Sequence, residues 1–292
     1  MINSASMLRI YAILLIGVCV TSSSSILIRW AGDVPFTVLA FYRLMISTMI
    51  LTLYHLLSRQ KTISSFKHLH WHYFLAGLFL AAHFITWIAS LQMTTIAHSI
   101  FLESTHPIFA IIVSLLFLKE YPRLRTLPAF ALALLGMFLI VYIDFGAQGT
   151  DFIGDLLAIS SALFLSLYLM IARFHKNEKD LIKYLIYVYG SAALVCAIYI
   201  LLSDVDFSGY SAISWLMIIL LALGPNLIGH SLLNWSSRKI EIFKVNLTLQ
   251  LEPVLATLGG MILFLEYPSN YFYVGAFFIS ISVIYLFLVE RK

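Results

Sequence analysis

The sequence predicts an all-α membrane protein of ten transmembrane helices, arranged as two inverted five-helix repeats. Three observations predict it. The 292 residues are 61% hydrophobic and 11% charged, with a mean hydropathy of +0.95, whereas a soluble domain carries about 25% charged residues and cannot clothe its surface with fewer than half that. This excludes a water-soluble enzyme, a disordered chain and a nucleic-acid binder. Apolar stretches long enough to cross about 30 Å of hydrocarbon, roughly 20 residues each, recur ten times. Finally, the second half of the chain repeats the first.

The stretches run over 8–28, 35–57, 72–91, 96–118, 126–143, 152–172, 183–202, 211–233, 242–264 and 270–289, with Gly, Pro, Ser or charged residues between most of them. Runs of this length without period-two alternation exclude an outer-membrane barrel. The apolar run of the first, Ile10 to Ile28, is preceded by a single basic residue, Arg9, and has no clear small-x-small cleavage site. It is also too long for the apolar region of a secretory signal, so it is expected to stay in the membrane. Cys19 and Cys196 both fall inside spans and offer neither a disulfide framework nor a metal-ligand spacing. No metal and no cofactor are expected.

Lysines and arginines orient the bundle, because cytoplasmic loops hold the excess of positive charge. With the N-terminus inside, the inner set is Arg9; Arg59, Lys61 and Lys67; Lys119, Arg123 and Arg125; Arg173, Lys176, Lys179 and Lys183; Arg238, Lys239 and Lys244; Arg291 and Lys292. That is 16 of the 18 basic residues; only Arg29 falls outside, and Arg43 lies within a span. One missed or extra span would scramble this partition. Both termini are therefore expected in the cytoplasm, and the pI near 9.0 reads as a topological signal.

The repeat has an offset of 146. Pro107, Glu120, Tyr121 and Pro122 recur as Pro253, Glu266, Tyr267 and Pro268, within a longer matching segment that opens at His106 and Glu252. Repeats of 1–146 and 147–292 follow. Because five spans is an odd number, the second copy enters the membrane from the opposite side. Inverted repeats of this kind build many secondary transporters, with the substrate site near the midplane between the halves.

In these features the chain resembles the EamA-type proteins of the drug/metabolite transporter superfamily. The resemblance rests on the two five-span units, on Pro35 followed by Phe41, Tyr42 and Arg43, and on the proline-bearing fourth and ninth spans that end at Glu120 and Glu266. It rests also on His83, Trp87, Ser90, Leu91, Thr94 and Thr95 in the third span. It covers about residues 8–289. It implies transport of small metabolites, often export of amino acids or related compounds, without a bound cofactor. The halves are not equivalent in function, since Arg43 pairs with Tyr189 and Gly136 with Ser282 at the repeat offset. No Gly-Lys dipeptide occurs, so no Walker-type phosphate loop is present. Transport is expected to run on a gradient or on exchange.

Polar residues within spans point to a cavity, because an ionisable group in hydrocarbon costs at least about 2.5 kcal/mol. The candidates for substrate binding are Arg43, His83, Trp87, Glu103, His106, Asn226, His230, Asn234, Asn246 and Gln250. Pro107 and Pro253 are the expected kinks, each removing one helical hydrogen bond. Glu103 shares a face with Ser99, His106 and Ala110; it lines a cavity or pairs with Arg43 or a histidine. In the ninth span Asn246, Gln250, Pro253 and Thr257 form one stripe, and Glu252 lies about 200° round the helix from Gln250. The amide stripe is the favoured substrate face, and Glu252 is a packing partner or a second ionisable site. Lys244 and His98 are expected near helix ends, Lys244 by snorkelling.

The expected function is a secondary active transporter, an exporter of small polar metabolites by alternating access. Its partners are a small-molecule substrate, the lipid bilayer and, through Glu103 or Glu252, protons. An intramembrane enzyme or a channel is the alternative, but no Gly-x-Ser-x-Gly or His-Glu-x-x-His spacing occurs. A bacterial or archaeal cytoplasmic membrane is the expected location. Ten spans suffice to enclose a pathway within one chain, and the oligomeric state stays open.

Overall fold

The computed structural model describes residues 4–58, 71–94, 96–141, 151–177, 180–203, 205–265 and 267–290, apart from the side chains of 4, 5, 96–98 and 141. Asp144, Asp204, Glu266, the His98 side chain and the basic residues Arg59, Lys61, Lys67, Lys179, Arg291 and Lys292 lie outside that description. Among the described residues there is no strand. Nine helices are long and apolar enough to cross a membrane: Ser6–Trp30, Phe36–Leu57, Trp71–Met93, Ser99–Leu118, Phe152–Phe174, Leu181–Leu202, Ala212–Ser237, Ile242–Phe264 and Asn270–Glu290. A shorter apolar helix, Leu124–Ile140, occupies the place of the expected fifth span. Counting it, the segments are numbered one to ten below.

Three segments are broken near their middles, and each break has a local cause. Segment 1 is interrupted at Ser22 and Ser23, where the hydroxyls of Thr21, Ser22 and Ser23 donate back to the carbonyls of Val18, Cys19 and Val20 at 3.0, 2.7 and 2.7 Å. Such bonds compete with the helical ladder. Segment 4 stops at Glu103 and restarts at His106, with Pro107 in the new first turn, where its missing N–H costs nothing. Segment 9 breaks at Gln250, three residues before Pro253. Segment 8 widens to a π-helix over Ala222–His230 around Pro225, and the Ser47 hydroxyl takes the Ala222 carbonyl at 2.9 Å.

The duplication is visible down to single residues. Segments 4 and 9 both end on a left-handed residue, Lys119 at φ 54° and Leu265 at φ 56°, which are 146 positions apart. Segments 5 and 10 cross where Gly136 meets Gly275, close enough that a Cβ on Gly136 would lie 2.6 Å from the Gly275 carbonyl oxygen. Ser282, the repeat mate of Gly136, donates to the carbonyl of Ala129, the mate of Gly275, at 2.6 Å. As the number rises on one segment it falls on the other, so the mates run antiparallel and the pseudo-two-fold axis lies across the helices. The remaining packing obeys the same exchange: segment 3 packs on 6 as 1 packs on 8, and segment 2 packs on its own mate, 7.

The two ends of the bundle differ. At the end that carries Glu290, the Glu120 carboxylate bonds Arg173 at 2.7 and 2.8 Å, and Lys244 is held by Glu241 at 2.8 Å and Glu290 at 2.5 Å. Lys244 does not snorkel: its side chain is 4% exposed, because the ends of segments 9 and 10 set two carboxylates around it. Burial acts to raise the Glu241 carboxyl, but the charges of Lys244 and Arg173 outweigh it and hold the group below the usual carboxylate range. At the opposite end, which carries Arg29, a recess of about 440 Å³ opens between segments 1, 3, 4 and 9.

Candidate functional site

The breaks in segments 1, 4 and 9 converge on a small cavity, lined by Thr21 and Ser24, by His83, Phe84 and Trp87, by Glu103, Leu165, His230 and Leu233, and by Leu249 and Glu252. These belong to segments 1, 3 and 4 and to their mates 6, 8 and 9. Several are mates themselves at offset 146: Phe84 with His230, Trp87 with Leu233, and Glu103 with Leu249. The cavity therefore straddles the pseudo-two-fold axis. Its volume of about 20 Å³ holds roughly a single water, so the site is closed around itself in this conformation.

Irregular backbone within a membrane must face protein or water, and the breaks in segments 1, 4 and 9 all lie beside this cavity. The Glu252 carboxylate accepts from Thr21 at 3.3 Å, which ties segment 9 to the break in segment 1. His83 Nδ1 lies 2.9 Å from the Ser161 hydroxyl and 3.1 Å from its carbonyl, and the His83 and Trp87 rings are parallel at 6.3 Å. Glu103 and Glu252, one from each half, are the two carboxylates of the wall.

Of the residues singled out in the sequence, His83, Trp87, Glu103, His230 and Glu252 reach the cavity. The others stand behind it. Arg43 is fully buried one ring away, its guanidinium 4.0 Å above the Phe84 ring. It forms no ion pair with Glu103, and its three guanidinium nitrogens have no hydrogen-bond partner. Asn226 sits in the π-helical stretch, where Tyr189 donates to its carbonyl at 3.3 Å. Asn234 donates to the Tyr168 oxygen and, at 2.7 Å, to the His230 carbonyl. His106 lies beside Asn246, and Asn246 itself donates to the Ile242 carbonyl at 2.9 Å. Gln250 donates to the Ser104 carbonyl.

In this conformation Asn246 and Gln250 bond backbone carbonyls of the protein and Glu252 faces the cavity. The opposite facing of Gln250 and Glu252 follows from their two-residue spacing, about 200° round a helix, which the turn at Gln250 preserves. Thr21 and Ser24 were not anticipated. Their signal was in the chain: five consecutive hydroxyl residues, Thr21 to Ser25, in the middle of an apolar span. Phe84, Leu165, Leu233 and Leu249 carry no such signal, being apolar residues in apolar helices.

The recess at the Arg29 end begins one helical turn beyond the cavity, since Ser25, Ile28, Leu91 and Ala256 follow Thr21, Ser24, Trp87 and Glu252 by four residues. Its walls are mainly aliphatic. Arg29 stands at its mouth with the guanidinium 4.4 Å over the Phe264 ring. Among the described residues no group of three or more His, Cys, Asp or Glu side chains is placed to hold a metal ion.

Comparison with known proteins agrees with this architecture. A solved structure titled only "Crystal structure of protein" superposes with a TM-score of 0.81 over 97% of this chain and 98% of its own, at 17% sequence identity, a likeness that concerns the fold alone. No curated protein is significantly similar in sequence. The profile of the EamA-like transporter family matches residues 8–142 and again 152–288, one copy in each half. The chain belongs to the EamA-like transporter family, within the drug/metabolite transporter superfamily.

Proposed function

We propose that this chain is a secondary active exporter of small polar metabolites, such as amino acids or related compounds. It works by alternating access between two inverted halves, 1–146 and 147–292, each of five spans. In this reading both termini lie in the cytoplasm of a bacterial or archaeal cell, the Glu290 end faces inward and the recess at the Arg29 end faces outward. The observation that carries the reading is the cavity on the pseudo-two-fold axis, lined by equivalent segments of both halves, sealed at one end by ion pairs and approached from the other by a recess. A pair of similar halves in opposite orientation has two related shapes, one open to each side.

Within that cycle His83, Trp87 and His230 offer ring faces and hydrogen bonds to the solute. Glu103 is the coupling switch, with Glu252 beside it: a carboxylate whose neighbours change between two states takes up a proton in one and releases it in the other. The asymmetry of the wall supports this role, because the mate of Glu103 is Leu249 and only one member of that pair can carry charge.

Counterflow in proteoliposomes tests the reading. Labelled amino acid is expected to exchange against unlabelled amino acid inside; conductance without exchange would indicate a channel, and chemical turnover an enzyme. Glu103→Gln is expected to keep exchange and to lose the dependence of uphill transport on a pH gradient. Unchanged pH dependence in that variant would move the coupling role to Glu252, and loss of all binding would place Glu103 in direct contact with solute.

A further inference from the structure

One contact joins the two halves at their breaks. The Gln250 side chain donates through Nε2 to the Ser104 carbonyl, and 250 minus 104 is the repeat offset of 146. The carbonyl is free to accept because the helix is interrupted there: Ile108 N–H, which would have bonded Ser104, goes instead to Thr105 at 2.9 Å. Two repeat mates thus touch on the pseudo-two-fold axis, each beside a cavity carboxylate, Ser104 next to Glu103 and Gln250 two residues from Glu252.

A contact between mates on a two-fold axis has a mirror partner in which the roles are exchanged. Exchange turns Gln250 side chain to Ser104 carbonyl into Ser104 side chain to Gln250 carbonyl. The Ser104 hydroxyl is buried and has no hydrogen-bond partner. A buried hydroxyl left unpaired is costly, and a partner in another conformation would relieve that cost.

We propose that Ser104 and Gln250 are paired positioning residues that trade one hydrogen bond between the two access states. The inference rests on the alternating-access reading above. In the present state the Gln250 amide holds the break of segment 4, and with it the spacing of Glu103 from Glu252. In the opposite state the Ser104 hydroxyl takes the Gln250 carbonyl. The serine side chain is the shorter of the two, so the breaks draw closer in that state and the carboxylates are respaced.

The test uses two variants with opposite expected signs. Ser104→Ala keeps the carbonyl that Gln250 uses, leaves the present state intact and removes the bond of the other. Gln250→Leu removes the bond of the present state alone. With Cys19 and Cys196 replaced by serine, a cysteine at Gly260 reports the recess, where a Cβ meets nothing within 4 Å. The rate of maleimide labelling in purified protein then follows the population open at that end. Ser104→Ala is expected to speed labelling and Gln250→Leu to slow it, each by about two- to tenfold, the weight of one net hydrogen bond. Ser104→Thr, which restores the hydroxyl, is expected to return the rate towards that of the parent.

Shifts in the same direction, or none, overturn the proposal, since a purely structural contact gives no sign reversal. Ser104→Ala deletes one oxygen atom and carries the test by itself should Gln250→Leu misfold. Counterflow by the parent protein separates the two levels. If counterflow is present and the labelling rates do not split, only this inference falls; if counterflow is absent, the carrier reading falls and takes the inference with it.

Discussion

Arg43 is a cation with no anion in contact, packed on an aromatic ring. A buried guanidinium without hydrogen bonds costs stability unless something else in the working cycle meets it, and the ring face of Phe84 at 4.0 Å recovers part of that cost. Two roles fit Arg43 from its sequence position: neutralising Glu103, or serving the solute. Its separation from Glu103 argues against the first. Arg43→Met, of similar reach and apolar, is expected to melt no lower than the parent protein while exchange falls at least tenfold. A clear loss of thermal stability would instead make Arg43 a structural countercharge for a cavity carboxylate.

At the scale of elements, the interruptions in segments 1, 4 and 9 expose the backbone and carboxylate groups that make the cavity polar. Prolines announced two of them, and the hydroxyl run Thr21 to Ser25 carried the third. The left-handed ends of segments 4 and 9 had no such sign, because a lysine and a leucine occupy a conformation in which glycine is usual. A residue with a Cβ pays about 1 kcal/mol or more in that region. Lys119→Gly is therefore expected to stabilise the protein by up to about 1 kcal/mol, less the backbone entropy that glycine loses on folding. The same change at Leu118, which is helical, is expected to lower stability; thermal melting of both variants checks the pair.

For the whole molecule, the two halves are held together by segment 3 on 6, by 1 on 8 and by pairs of mates, and at the crossing of segments 5 and 10 the mated backbones come into contact. With Gly136 and Gly275 backbone to backbone, Gly136→Leu is expected to cost about 1–3 kcal/mol or more through overpacking and to reduce the folded yield. Ala in place of Ser282, which lies on the mate side of the same crossing, is expected to do far less, measurable as the fraction of monodisperse protein after purification. Orientation is tested separately. A cysteine at Ser203 is expected to react with an impermeant maleimide added to intact cells, and one at Asn177 is not; labelling at Asn177 in sealed cells would invert the proposed topology.

Composition and span length by themselves determined that the chain is a helical membrane protein, because burying few charges in lipid leaves no other fold. The offset of 146, with an odd number of spans expected per copy, pointed to an inverted duplication, and the helix bounds read from hydropathy fall within a few residues of those in the structure, since the hydrocarbon thickness sets both. Glu103, His83, Trp87 and His230 stand out in the sequence because a polar or large aromatic group in an apolar helix needs a reason to be there, and the structure sets all four around one small cavity. Only the tertiary structure decided which polar residues share one wall. Glu252 lines the cavity while Asn246 and Gln250 bond backbone carbonyls; Arg43 is withdrawn behind Phe84; Leu165, Leu233 and Leu249 complete the wall without any polar mark. Those assignments depend on the packing of segments distant in the chain, which is not encoded in local periodicity.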